Sequence, residues 1–294
     1  MRHISRLTGE KKKFKDREGY EAHLKDVGVL EALKRRDRSR RVKSGVSRFE
    51  ISKREASQFY NWAKWDVPAI ASVCERQTIS LIHPSRGRCH QSWKCMNLWT
   101  ESCSPHNDVE YIMSLDSDDV GNYLDLTESA IGKVNFRVVV GDNTNVVQAL
   151  NRGAKVATGD ILIYVSDDFE CPINWDIVIQ QAVKGNDDWV LHVDDGIQKN
   201  TATISILSRK YYERFNRIYH PGYISMWVDP DFTEEAKALG KLINRTQDIL
   251  FKHNHYTVGG IPFDATYAKE NSGKAWEHGE KLFYERQANN FGVK

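Results

Sequence analysis

Long apolar runs are missing from this 294-residue chain. No window approaches the ~18 uninterrupted apolar residues of a membrane span, and the first residues are charged where a secretory signal would carry an apolar core. Integral membrane association is excluded on that reading, and a cytoplasmic location is expected. Cysteine is scarce and odd in number: Cys74, Cys89, Cys95, Cys103 and Cys171 contain no C-x-x-C pair. That argues against a disulfide framework and for reduced thiols. With 7 prolines and 19 glycines, the chain is neither collagenous nor of low complexity, and it has no internal repeat. What is present, 40% hydrophobic and 11% aromatic residues, suffices for one large domain, or for a domain with an appendage.

Net charge is also nearly absent, at +2, but the balance hides an asymmetry. Residues 1–66 hold 19 Lys+Arg against 10 Asp+Glu, while the remainder holds 23 against 30, which is +9 in front and −7 behind. Lys34 to Lys43 alone places seven basic residues in ten positions. Leu24, Val27, Leu30 and Leu33 have the spacing of one helical face, and Ser52 with Glu55 forms a capping box before Phe59, Tyr60 and Trp62. Residues 1–66 therefore read as a small basic helical extension. It is either a solvated linker or a surface that tracks phosphates.

From residue 67 to 294 the texture is that of a larger domain. Thr78–His83, Glu110–Leu115, Phe136–Val140, Asp160–Val165 and Trp189–Val193 read as strands, the first four apolar on both faces as buried strands are. His90–Cys103, Tyr123–Lys133, Asn145–Ala157 and Trp175–Val183 read as the helices between them. This alternation predicts an α/β fold, a three-layer sandwich with a mainly parallel central sheet. Ligands then belong at the carboxyl ends of its strands.

Four acidic clusters compete for that edge: Asp116-Ser117-Asp118-Asp119, Asp167-Asp168, Asp187-Asp188 and Asp194-Asp195. Asp116 and Asp167 directly follow buried strands, Asp187-Asp188 precedes one, and Asp194-Asp195 runs into a turn at Gly196. Paired carboxylates at a strand end repel each other unless a cation lies between them, and oxygen ligands suit Mg²⁺ or Mn²⁺. Zinc held by Cys89, His90, Cys95, Cys103 and His106 is disfavoured, because their spacing matches no compact zinc pattern. Trp93 and Trp99 in the same stretch read as core or interface residues.

The order of these motifs resembles the GT-A glycosyltransferases, especially the family-2-like group, over roughly residues 77–267. Ser80-Leu81-Ile82-His83-Pro84-Ser85-Arg86-Gly87-Arg88 is similar to that family's first strand and nucleotide loop. Asn151-Arg152-Gly153-Ala154 followed by Ala157-Thr158-Gly159-Asp160 resembles its N-x-G…A-x-G-[DE] segment, and Ser166-Asp167-Asp168 stands where its D-x-D metal motif falls. The literal D-x-D, Asp116-Ser117-Asp118, precedes the Asn151–Asp160 segment instead of following it, which casts Asp116 as a contact to base or ribose. The resemblance implies that Pro84, Ser85, Arg86, Arg88, Asp116, Asn151 and Asp167 face a nucleotide-sugar, with a UDP-sugar the family-weighted guess. It implies a divalent metal, Mn²⁺ or Mg²⁺, held by Asp168, Asp167 and a late histidine, His255 by position with His253 as second choice. Which of the two carboxylates touches the metal stays open. Residues 77–168 would form the nucleotide-binding half, 169–267 the acceptor half and 268–294 a tail that packs back on the domain or on a partner.

Tyr219–Asp231 is similar to the family's acceptor-side segment, an aromatic stretch ending in acid. An inverting transfer needs one carboxylate to take the acceptor's hydroxyl proton, and Asp229 is the expected base. Asp231 is the rival, but Asp231–Ala236 also reads as a helix start, which gives Asp231 a capping role. Three functions follow for comparison. The first is a metal-dependent glycosyltransferase acting on a glycan or other soluble acceptor. The second is the same enzyme acting on a hydroxylated DNA base reached through the basic arm. The third is a nucleic-acid-binding protein without transferase activity. A nucleotidyltransferase would bring a Gly-rich or Lys/Arg-rich triphosphate signature near the first strand, and only Arg86-Gly87-Arg88 is there.

Overall fold

A computed structural model describes residues 75–293, apart from residues 133, 143 and 144. The basic extension, 1–66, with its predicted helix and capping box, lies outside the described residues.

The central sheet has seven strands: β1 (Thr78–Pro84), β2 (Asp108–Asp116), β3 (Asn135–Gly141), β4 (Ile161–Tyr164), β6 (Val190–His192), β7 (Ile206–Ser208) and β8 (Leu242–Asn244), in the order β3-β2-β1-β4-β7-β6-β8. Neighbours run parallel except at β7, which is antiparallel to both β4 and β6. β5 (Phe169–Glu170) and β9 (Lys252–His253) form a separate antiparallel pair.

Alternation along each central strand feeds two cores. Ile79 and Leu81 of β1, Tyr111, Met113 and Leu115 of β2, and Ile161 and Ile163 of β4 point to one face. There they meet α1 (Cys89–Glu101), α2 (Leu124–Ala130) and α4 (Trp175–Ala182). Ile82, Ile112 and Leu162 point to the other face, onto α3 (Val146–Val156), α5 (Arg209–Phe215) and α6 (Val228–Ala238). A strand covered on both faces is apolar at most positions, which is why β1, β2 and β4 read as hydrophobic runs broken only by a few buried polar side chains such as Ser80 and Glu110. The expected three-layer α/β sandwich with a mainly parallel sheet is observed. β3 departs from the expectation: it is the sheet edge, half-buried along its length, with Val140 exposed.

Two glycines let helix and turn approach the sheet. A Cβ on Gly153 would stand 2.7 Å from Cγ2 of Ile82, so α3 lies against β1 only because none is present. A Cβ on Gly159 would stand 2.6 Å from the Ser80 hydroxyl and 2.8 Å from the Thr78 carbonyl. The Gly159 turn is fastened by buried Glu110, whose Oε1 accepts from the amides of Thr158 (2.5 Å) and Gly159 (3.1 Å) and from Ser80 Oγ (2.5 Å). Asn145 caps α3 by accepting from the Gln148 amide.

The chain past β9 closes the domain with α7 (Ala265–Glu270) and α8 (Gly273–Ala288). The expected boundary between 267 and 268 thus falls inside α7. The tail packs back on the domain: Trp276, Phe283 and Tyr284 of α8 meet the Trp227 ring, and Arg286 reaches Asp231 and Glu235 of α6. Among the described residues no helix is long and apolar enough to cross a membrane.

Candidate functional site

A cleft of about 450 Å³ opens at the carboxyl ends of β1, β2 and β4. Its size is that of a small-molecule site. Pro84, Ser85, Arg86, Arg88, Asp116, Asp167, Asp168, Asp229, His253 and His255 all line it. Asn151 is not among its lining residues: its amide is spent on the backbone of Ile218 and Tyr219.

The two adjacent carboxylates after β4 face different ways. Asp167 turns inward, accepting from Ser92 Oγ (2.5 Å), from Ser85 Oγ (3.0 Å) and from Nε2 of His83 (3.0 Å). Asp168 is buried, its Oδ2 accepting from the Tyr267 hydroxyl and from His253 Nε2 at 3.2 Å. Its Oδ1 is buried with no hydrogen-bond partner. Burial opposes the Asp168 charge, but His253, Ser166 and Tyr267 more than offset it and hold the carboxyl well below the usual range.

The β5–β9 pairing sets Phe169 opposite His253 and stacks the rings at 4.3 Å, carrying the histidine to Asp168. Its other nitrogen, Nδ1, donates to Asp195 at 3.3 Å. Asp195 is wholly buried and also accepts from Thr203 Oγ1 (2.7 Å) and from the amides of Ile197 and Gln198. Burial disfavours a charged His253 ring, yet its bonds to Asp168 and Asp195 push its pKa up to about 9. β9 ends at His253, so His255 does not continue the strand: its Nδ1 caps the short turn Tyr256–Val258 and meets Thr257 Oγ1 at 2.8 Å. The His255 ring stands 5.0 Å from that of His253, and its pKa is lowered, first by burial and then by the His253 charge.

Both arginines of the first loop are spent on carboxylates. Arg86 Nη1 donates to Asp116 (2.5 Å) and Asp118 (2.6 Å), and Nη2 to Asp118 (2.7 Å). One guanidinium therefore bridges both carboxylates of the literal D-x-D. Arg88 is buried in a two-pronged pair with Asp264, 2.7 Å on each arm, its charge centre 4.3 Å from the Tyr267 ring. It ties α7 to the β1–α1 loop.

On the opposite wall Asp229 stands in the first turn of α6, which begins at Val228. The helix starts three residues before the expected Asp231 position, so Asp231 is no cap. It is wholly buried and accepts from Arg286 Nε (2.6 Å) and from the Tyr223 hydroxyl (2.9 Å). Asp229 Oδ1 accepts from the Tyr219 hydroxyl at 2.8 Å. Burial pushes the Asp229 carboxyl up to about 7, against the opposing pull of Tyr219 and His253. Trp227, just before it, holds a left-handed backbone with φ 69°, a conformation that costs a non-glycine residue and persists only where packing enforces it.

Sequence reasoning missed Asp195, Tyr267 and Glu270. Asp195 carries a signal like that of Asp167, a carboxylate soon after a strand, but the adjacent Gly196 makes the segment read as a turn. Tyr267 and Glu270 carry no local signal. Glu270 lines the cleft, one of its oxygens is buried without a hydrogen-bond partner, and burial raises its pKa.

Among the described residues no three His, Cys, Asp or Glu side chains form a ready metal cage. Mg²⁺ and Mn²⁺ commonly use one or two carboxylates and complete their shells with water and phosphate. The orphaned, buried Oδ1 of Asp168 fits that demand.

No protein-family model matches the chain, and no curated protein matches it. Among solved structures, residues 1–349 of S. aureus TarS superpose with a TM-score of 0.50 at 14% identity, covering 60% of this chain and 60% of that one. GalNAc-T7, solved with UDP, GalNAc and Mn²⁺, superposes with a TM-score of 0.50 at 13% identity, covering 74% of this chain and 52% of that one. The chain thus spans about 60% of the first and half of the second. The strand order, the helical layers on both faces and these two likenesses show that the chain has the GT-A fold.

Proposed function

We propose that the protein is a metal-dependent glycosyltransferase that moves a sugar from a nucleotide-sugar to an acceptor hydroxyl. One observation carries the reading. Across a single cleft, a buried carboxylate with an unsatisfied oxygen, Asp168, faces a carboxyl poised near neutrality, Asp229. Perturbed acids of opposite character in one cleft mark an acid–base site more often than a structural one.

Asp168 is the metal ligand in this reading, with His255 beside it and Asp167 fixing the strand end from behind. A divalent cation held there supplies positive charge to the departing diphosphate. Asp116, held by Arg86, borders the nucleoside end. Tyr219 occupies Oδ1 of Asp229, leaving Oδ2 to take the acceptor's proton. The acceptor oxygen then bonds to the anomeric carbon as the bond from that carbon to the diphosphate breaks. A base near pKa 7 is matched to this task, because it is substantially ionised at neutral pH and still accepts a proton readily.

The reading is tested by thermal shift with nucleoside diphosphates and nucleotide-sugars, with and without Mn²⁺ or Mg²⁺, on the wild type and on Asp168→Ala. Ligand that binds only the folded state must raise its melting temperature. A metal-dependent rise with one nucleotide, lost in the variant, supports the donor site and names the base. No rise with any nucleotide refutes it.

The charge of residues 1–66, +9, favours a polyanionic acceptor such as DNA bearing a hydroxylated base over a free glycan. Duplexes with and without hydroxymethylated bases, titrated against salt, separate the two acceptors. Binding that weakens steeply with salt, with sugar transfer to the modified duplex alone, supports DNA. Transfer to glycans with no duplex binding removes it.

A further inference from the structure

Asn151 was expected at the nucleotide and Tyr219 had no assigned role, yet the structure joins them behind Asp229. Asn151 Oδ1 accepts from the amides of Ile218 (3.0 Å) and Tyr219 (3.2 Å), and its Nδ2 donates to the Tyr219 carbonyl (2.8 Å). Three bonds from one amide fix the tyrosine's backbone to α3. The Tyr219 ring is wedged between Tyr164 and Phe232, edge-on to both at 5.9 and 5.8 Å. Its hydroxyl is buried and polarised in one direction. Ser205 Oγ donates to it at 2.9 Å, which leaves its own proton for Asp229 Oδ1 at 2.8 Å. A chain of hydrogen bonds running one way strengthens each member.

We infer that Tyr219, anchored by Asn151 and oriented by Ser205, is a positioning residue that fixes the rotamer of Asp229 and holds it ionised for proton abstraction. The inference rests on the reading of Asp229 as the base. The charged and titratable groups facing Asp229 are Tyr219 from the segment before α6, Tyr164 from the end of β4, Asp195 from the loop after β6, and His253 from β9. Only Tyr219 gives it a hydrogen bond in this set, and a donor to a carboxylate favours the ionised form.

The test is the carboxyl resonance of Asp229, followed by ¹³C NMR against pH in the wild type, Tyr219→Phe and Ser205→Ala, and assigned by its loss in Asp229→Asn. Loss of the hydroxyl is expected to move the Asp229 midpoint up by about one pH unit. Ser205→Ala is expected to move it the same way by less, and it keeps the test valid if the phenylalanine variant folds poorly. Midpoints unchanged in both variants overturn the inference. The pH profile of donor hydrolysis in Mg²⁺ is read alongside, where the acidic limb should shift with the resonance. If the resonance moves and the acidic limb does not, Tyr219 still positions the carboxyl and the base reading of Asp229 falls.

Discussion

Replacing Asp229 by asparagine should stabilise the protein while removing its activity, and the stabilisation should depend on pH. The folded carboxyl is pushed up to about 7 from an ordinary 3.8. For an acid with a raised folded pKa, the folded state binds more protons than the unfolded one between those values. Stability is therefore lost as pH rises from about 4 to about 7, and stays level above that. The full penalty is ~4 kcal/mol at 1.4 kcal/mol per unit, and about 1 kcal/mol of it is already present at pH 4.5. Asparagine cannot ionise, and its carbonyl still accepts from Tyr219. Asp229→Asn should gain about 1 kcal/mol at pH 4.5 and about 4 kcal/mol at pH 8, a difference of very roughly 5–10 °C in Tm for a domain of this size. Differential scanning calorimetry of both proteins at the two pH values measures it. Removing a general base should also cost about 10²–10⁴-fold in rate. A variant that is destabilised, or whose gain is the same at both pH values, refutes the claim that Asp229 is held near neutrality by burial.

Three further outcomes are expected. His253 is raised to about 9 from an ordinary 6.5, so the stability its charge brings is complete below about pH 6.5 and lost as pH rises through about 9; urea melts should show the deficit of His253→Gln, ~3 kcal/mol at pH 6, shrinking by pH 9.5, and a constant deficit contradicts the ion pairs. Tyr267→Phe frees Asp168 Oδ2 from the phenol and should tighten Mg²⁺ about tenfold by isothermal titration calorimetry, whereas unchanged or weaker binding contradicts Asp168 as the metal ligand. Gly153→Ala drives a methyl into Ile82 and should lower stability by about 1–3 kcal/mol in chemical denaturation; a neutral result means that α3 shifts freely on the sheet.

The sequence by itself determined the layers and the edge. β1, β2 and β4 are largely apolar because both faces are covered, and the helices between them fall where hydrophobic spacing places them, with a side-chain cap only at Asn145 before α3. Loops after such strands must gather at one side of the sheet, and that was enough to bring Asp116, Asp167 and Asp168 to the same cleft. β7 and β8 are not legible in the local pattern, and Phe136–Val140 reads as a buried central strand although β3 is the half-exposed edge.

Only the tertiary structure decided what each side chain does there. Arg86 and Arg88 are nearest in sequence to the nucleotide loop, but their partners, Asp118 and Asp264, lie 32 and 176 positions away. His253 rather than His255 reaches Asp168 because the β5–β9 pairing ends at His253, and Asn151 turns away to hold Tyr219. Composition and local spacing fix which groups are available and which strand end they leave. The division of two adjacent aspartates into one satisfied inward and one left with an open oxygen depends on contacts between segments 75 to 99 residues apart. No local pattern encodes that.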